Sequence, residues 1–391
     1  MNGGITYAEV KKELLNVYEE GDFYISSPIR SVLGKGVFKK VSGENAARNL
    51  SEQVKGALRD ARINGIENPV AVGAIPFDPK KEPRLIIPET AFFSAPYEIK
   101  GNLADCGLHT YDAESVPSPE GYMEMVANGL DSIKNGEMDK IVLARTLRCQ
   151  TGKRVNPKRI LQNLAEHNAG GYTFAADISE EQGKARTFLG ASPELLVSRS
   201  GATVIANPLA GSRPRSDDPE EDRRRALELM DSAKDLHEHK VVVDAVREGL
   251  EALCPKLAVP DKPSVIQTET MWHLSTEIRG QLTDASITSL DLALAIHPTP
   301  AICGYPAETA FNAIRKAEPF DRGYFTGIVG WCNERGDGEW IVAIRCAEVE
   351  GKTISLYAGA GVVAGSKPED ELNETAAKFR TMLNAIGAKE K

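Results

Sequence analysis

Apolar and polar positions alternate along this chain with two different periods, and the two periods separate expected strands from expected helices. Helical spacing marks 7–20, then Ala46 to Asn64 with Leu50, Val54 and Leu58 on one face. It recurs at Glu120 to Asn135, at Lys158 to His167 and at Leu290 to Ile296. Pro219 to Leu253 is helical by composition, with a break expected near Ser232. Short apolar runs predict strands at Phe23–Pro28, Pro69–Asp78, Pro83–Pro88, Lys140–Cys149, Tyr172–Asp177, Thr187–Gly190, Leu195–Arg199 and Ala202–Ala206. The Ser200-Gly201 pair predicts a hairpin between the last two. Ser264 to Gly280 is too β-branched for a helix and predicts one long strand, and Glu318 to Ile341 predicts a hairpin turning at Glu334–Gly338. Consecutive strands with helices inserted point to α+β rather than alternating α/β. One domain spanning 1–391 is expected.

The last fifty residues organise the rest. Ile341–Ala347 and Ile354–Gly365 predict two strands, the second opening into a glycine-rich turn. Ser366 and Glu369 suggest a capping box, and Pro368 suits the first turn of a helix. Leu372, Ala376, Phe379, Leu383 and Ile386 lie at the spacing of one apolar face, while Glu374 and Lys378 are neighbours on another. Gly359, Gly361 and Gly365 imitate a dinucleotide-binding loop, but that fingerprint opens a βαβ unit with an acidic residue about twenty positions on. No second parallel strand is expected after this helix, so a carboxylate near Arg345 and Lys378 is a more natural guest than a pyrophosphate.

Composition narrows the class. The 391 residues are 41% hydrophobic and 26% charged, as in ordinary soluble proteins. A net charge of −9 disfavours nucleic acid or an anionic membrane as partner. The amino terminus lacks an apolar signal core and no stretch approaches a membrane span. Six scattered cysteines without metal spacing suit small core residues in a reducing compartment, so a soluble cytoplasmic protein is expected.

Few residues could carry chemistry. Lys140 opens a strand; as a general base it must be neutral, against an ordinary pKa of about 10.4, which only a buried or cation-rich pocket allows. Otherwise it is a solvated charge. Glu194 follows Ser-Pro at a strand entry, and as a general acid its pKa must rise toward about 6–7. A neutral lysine and a protonated glutamate side by side would exchange the proton, so the two must flank a substrate. His237-Glu238-His239 cannot converge on one metal, since adjacent helical residues point about 100° apart. Glu238 alone remains as a hard ligand for Mg2+. A metal-dependent hydrolase using Glu238 with His237 or His239, and a nucleotide-binding module on Gly359–Gly365, stay as alternatives. There is no G-x-S-x-G elbow, P-loop or H-E-x-x-H.

Taken in order, Lys140-Ile-Val-Leu-Ala-Arg, Gly190-Ala-Ser-Pro-Glu-Leu-Leu, Pro208-Leu-Ala-Gly-Ser, Glu238-His, Trp272-His-Leu, His297-Pro-Thr-Pro-Ala, Ala343-Ile-Arg, Gly359-Ala-Gly and Glu374-Thr-Ala-Ala-Lys resemble the chorismate-utilising enzymes. Within that family the chain most resembles the isochorismate synthases of catecholate siderophore pathways. The resemblance implies an α/β sandwich of two mostly antiparallel sheets with outer helices, and a motif-bearing core of about 69–385. It implies Mg2+ held by Glu238 and Glu374 against the ring carboxylate of chorismate. Arg345, Lys378 and the backbone at Gly359 and Gly361 would hold the enolpyruvyl carboxylate. Lys140 would deprotonate water, and Glu194 would protonate the departing 4-hydroxyl. Gly211 and Ser212 would lie beside the substrate, with His273, Ala301 and Ile302 lining the ring. Amine-installing relatives usually carry glutamine where this chain has Lys140, so water is the expected nucleophile. Salicylate synthases keep the lysine but resemble the chain less at Ala301. Menaquinone-branch isochorismate synthases differ little in the site. A monomer acting on chorismate is expected, with a downstream isochorismatase on a separate chain.

Overall fold

The computed structural model describes residues 13–41, 46–101, 106, 111–168 and 170–387. Two large antiparallel sheets face one another. The first runs Gly304–Tyr305, Lys140–Thr151, Thr353–Val363, Cys346–Glu350, Arg186–Ser192, Tyr172–Asp177, Phe23–Ser26, Ser31–Lys35 and Thr90–Ser94, with Tyr111–Val116 also on Lys140–Thr151. The second runs Lys256–Ala258, Ile278–Gln281, Thr203–Asn207, Leu195–Ser200, Gly338–Val342, Ile328–Asn333, Val70–Ile75, Arg84–Ile87 and Lys39–Val41. A three-stranded sheet of Leu209–Pro214, Met271–Ser275 and Ser264–Gln267 stands apart from both.

Strand alternation assigns each side chain to a layer. In Val70–Ile75, Val72 and Ala74 join Phe93, Phe174, Phe188 and Trp331 between the sheets, while Ala71 and Ile75 face the outer layer. That outer layer is Val54, Leu58, Val242 and Val246 from two helices, Ala46–Ile63 and Ala233–Glu251. On the other side Leu189, Ala191 and Leu356 pack against Leu161 of Pro157–His167 and Phe379 of Pro368–Ile386. Both faces of each sheet are therefore covered. The strands read as unbroken apolar runs for that reason, although their pairing is antiparallel. The expected sandwich with outer helices is the fold observed.

Several local expectations hold. The helix break falls at Ser232, whose side chain accepts from the Asp235 amide and caps Ala233–Glu251. The Ser200-Gly201 and Glu334–Gly338 turns join the strands expected of them. Of the stretch 7–20, a helix over Leu14–Val17 is seen and 1–12 lies outside the described residues.

Five expectations are corrected. Ser264 to Gly280 is three strands, not one: Thr268 Oγ1 accepts from the Met271 amide and turns the first strand back on the second. The run Ile341–Ala347 is the end of one strand and the start of another in the opposite sheet, broken at Arg345. Gly359 and Gly361 lie inside Thr353–Val363, opposite Ala144 and Val142, so the glycines make no turn and no phosphate loop. Ser366 caps no helix; Lys367 is the cap residue, and Ser366 Oγ accepts from the Val363 amide instead. The buried stripe of that last helix runs through Glu371, Thr375, Phe379, Met382 and Ile386, and Ala376 is exposed.

The layer between the sheets is where stability should be most sensitive. Phe188→Ala removes a fully buried ring whose centroid lies 5.3 Å from that of Phe174. A loss of about 3–5 kcal/mol is expected in urea unfolding, with an unchanged m-value.

Candidate active site

The two long strands Lys140–Thr151 and Thr353–Val363 form one wall of a cavity between the layers. Glu194, Gly211, Ser212, Glu238, His273, Ala301, Ile302, Arg345, Gly359, Gly361, Glu374 and Lys378 all line it. Lys140 stands directly behind. It has no exposed surface, and its Nζ donates to Glu238 Oε1 at 2.8 Å. Gly361 explains how the pair fits, because a Cβ there would sit 2.2 Å from Glu238 Oε1 and 3.1 Å from Lys140 Cε.

Glu194 is delivered to the cavity by the turn between Arg186–Ser192 and Leu195–Ser200. Burial raises its carboxyl to about 7, against opposing pulls from the Leu209 amide and from Lys140, Arg345 and Lys378. Leu209 N lies 3.4 Å from its Oε1. The environment an acid needs is therefore present.

Arg345 occupies the crossing between the sheets with φ of +51°, and Thr326 beside it has φ of +58°. For a β-branched threonine that conformation costs about 1–3 kcal/mol. Two backbone bonds of 2.8 Å hold the crossing: Thr326 N donates to Ala343 O, and Ala343 N to Gly327 O. Burial lowers Arg345 to about 10, still a cation at neutral pH, with Glu374 and Glu194 opposing the shift. Its Nη2 donates to His273 Nε2 at 3.2 Å. Burial, reinforced by Arg345 and Lys378, keeps His273 well below its ordinary range and neutral. A bulge at Gly211, with φ of +75°, lies between Ala210 and Ser212 and aims Ser212 at Glu374.

Glu374 Oε1 lies 2.6 Å from Lys378 Nζ, and Lys378 also donates to Gly359 O at 2.8 Å. Burial opposes the ionised form of Glu374, yet Lys378, Ser212 and Lys234 outweigh it and hold its carboxyl low. One turn earlier, Glu371 is pushed up by burial and by Glu374, though Lys234 lies 2.9 Å away. Glu238 and Glu374 thus bring two hard oxygen donors to one cavity from facing helices. Among the described residues no cluster of three or more acidic, histidine or cysteine ligands forms. Two carboxylates with the rest of the shell left to water and substrate oxygen is a donor set that fits Mg2+.

His237 is exposed, and burial lowers His239 to about 4 while its Nε2 meets Thr276 Oγ1 at 2.7 Å. The histidines do not join Glu238, which removes the basis for a hydrolase. Sequence reasoning missed Phe325, Thr326, Tyr357, Lys234 and Glu371. The last two were within reach: Lys234 is one helical turn before Glu238, and Glu371 is one before Glu374. Phe325 and Tyr357 stack at 5.2 Å across two distant segments, which no local pattern shows.

Comparison with known proteins places the class. Residues 100–387 match the family of chorismate binding enzymes, and the chain belongs to that family. It is similar to isochorismate synthase DhbC of Bacillus subtilis (strain 168), 55% identical over 389 residues covering 97% of each chain. The crystal structure of DhbC from Bacillus anthracis, described as a 2,3-dihydroxybenzoate-specific isochorismate synthase, is similar with a TM-score of 0.92. That pair is 52% identical, over 96% of this chain and 98% of the other. Anthranilate synthase component I from Streptococcus pneumoniae TIGR4, 20% identical, shares the fold with a TM-score of 0.73 over 96% of this chain and 94% of the other.

The raised carboxyls are directly measurable. Infrared difference spectra between about pH 6 and about pH 8 should show two buried carboxyls losing their protons, because burial raises both Glu194 and Glu371 to about 7. Glu194→Gln should remove one contribution and leave the other, and Glu371→Gln the reverse.

Proposed function

We propose that this chain is an isochorismate synthase of the 2,3-dihydroxybenzoate branch, a soluble cytoplasmic enzyme that isomerises chorismate with Mg2+ as cofactor. The observation that carries the reading is a Glu194 raised to about 7 in the lining of the cavity that Glu238 also lines, with a fully buried Lys140 paired to Glu238. The similarity to DhbC supports the choice of reaction and branch.

Chorismate is a dianion. Arg345 and Lys378, which line the cavity with Ser212, would take its enolpyruvyl carboxylate. Glu238 and Glu374 would hold Mg2+, which supplies positive charge to the ring carboxylate when bound. Val142, Ala301, Ile302 and Phe325 wall the ring and exclude bulk water. Lys140 donates to Glu238 in the free site; as base it presents its amine lone pair to a water on one ring face. That water's oxygen bonds to ring C2, both ring double bonds move one position along the ring, and the bond between C4 and its oxygen breaks. Glu194 gives its proton to that oxygen, which leaves as water. One water enters and one departs. Lys140 then holds a proton that Glu194 lacks, and the reset returns it.

Chorismate and MgCl2 with the purified protein, resolved by chromatography, should give isochorismate with little pyruvate, and EDTA should stop turnover. Stoichiometric pyruvate with salicylate would reassign the chain as a salicylate synthase. Lys140→Gln keeps a donor for Glu238 but removes the base, so kcat should fall about 10²–10⁴-fold with KM within about threefold. Glu238→Gln should instead raise the Mg2+ requirement and KM together.

The pH profile follows from the sign of the Glu194 shift. A carboxyl raised to about 7 is the competent acid below that pH and is spent above it. The kcat/KM of the enzyme should therefore fall about tenfold per pH unit above about 7. Its onset should move with Glu194→Asp while Glu371→Gln leaves it in place.

A further inference from the structure

Behind the cavity, outside its lining, lies a buried ion pair that the mechanism does not use. Arg322 and Glu318 are 4% and 8% exposed, and Arg322 meets both carboxylate oxygens, Nε to Oε2 at 2.8 Å and Nη2 to Oε1 at 2.5 Å. The guanidinium then fans outward. Nη1 donates to Ile302 O at 2.8 Å and to Thr326 Oγ1 at 3.3 Å, and Nη2 donates to Val142 O at 2.7 Å. Glu318 Oε1 accepts the Ala144 amide at 2.9 Å. The guanidinium carbon lies 4.6 Å from the ring centroid of Phe77 and 5.8 Å from that of Phe325.

Val142, Ile302 and Thr326 are three separate walls of the cavity. Val142 is two residues from Lys140 on its strand, Ile302 adjoins Ala301, and Thr326 is the strained residue bonded to the Arg345 crossing. We propose that Arg322, oriented by Glu318, is the positioning residue that sets these three walls in register around the substrate ring. The inference rests on the synthase reading for its kinetic arm only. A buried ion pair gains little stability over apolar side chains of similar volume. What a planar guanidinium adds is the ability to hold carbonyls from different elements in one plane while its other edge grips a carboxylate. An ammonium has no such fork.

The test uses Arg322→Lys and the double variant Glu318→Leu with Arg322→Met, which leaves no unpaired buried charge. Turnover of chorismate is measured alongside hydrogen exchange over 140–146, 299–305 and 323–328. Misplaced walls should lower kcat at least about tenfold while KM stays within about threefold, since the carboxylate-binding groups are untouched. Exchange should rise in those three segments and nowhere else. An unchanged kcat, or exchange rising uniformly through the chain, overturns the proposal and leaves the pair a general structural contact. Local loosening in a protein that never turns over chorismate upholds the brace and sinks the synthase reading instead.

Discussion

Every feature of the cavity is conditioned by the need to match charge where water is excluded. Lys140 has no exposed surface, so its ammonium must have a counter-charge at bonding distance, and Glu238 supplies it. An unpaired charge at that depth would cost several kcal/mol. The match dictates sequence elsewhere: Gly361 has no side chain because Glu238 and Lys140 occupy the volume a Cβ would need. It also dictates which helices face each other, since Glu238 comes from Ala233–Glu251 and its counterpart Glu374 from Pro368–Ile386.

The same constraint would separate the proposed acid from the proposed base. Glu194 is as buried as Glu238 yet has no ammonium at contact distance; only the Leu209 amide lies 3.4 Å from its Oε1. Desolvation therefore wins and its carboxyl rises, whereas Glu374, 2.6 Å from Lys378, stays low. Two glutamates lining one cavity acquire opposite tendencies because Lys378, Ser212 and Lys234 surround the half-buried Glu374. That is how a site with several carboxylates can assign one to proton donation and others to holding positive charge.

Much of this was legible in the sequence, and the division between legible and illegible is physical. Runs such as Val70–Ile75 are apolar on both faces because each face meets a layer, so strand identity could be read locally. The helix break at Ser232 was visible because capping is a short-range hydrogen bond. Ser264 to Gly280 was misread because its β-branched residues fall in breaks as well as strands: Thr268 and Thr270 lie in the first turn and Thr276 in the second, so composition hides both divisions. Ile341–Ala347 was misread because the change of sheet at Arg345 is a tertiary event inside an apolar run. In the site, the motif residues were found through their types, and they do converge. Phe325, Tyr357 and Arg322 were not, since the aromatic stack joins segments distant in sequence and the bonds that tie Arg322 to the cavity walls at Val142 and Ile302 do too.

Charge matching also bears on what the cavity can admit. Lys140, Lys234 and Lys378 are each paired with a carboxylate, Glu238, Glu371 and Glu374 respectively. Arg345 faces a neutral imidazole instead. A dianion entering this arrangement finds one cation whose contact is uncharged and three that are already matched. Displacing those carboxylates with the substrate's own would leave buried anions without partners, which costs more than the new contacts return. A divalent cation held by Glu238 and Glu374, as proposed, would resolve the deficit, because it would compete with the lysines for the same oxygens and release their donors toward the substrate. Acidic overall charge and recognition of an anion would then be compatible: the carboxylates would be the means by which positive charge is concentrated where it is needed.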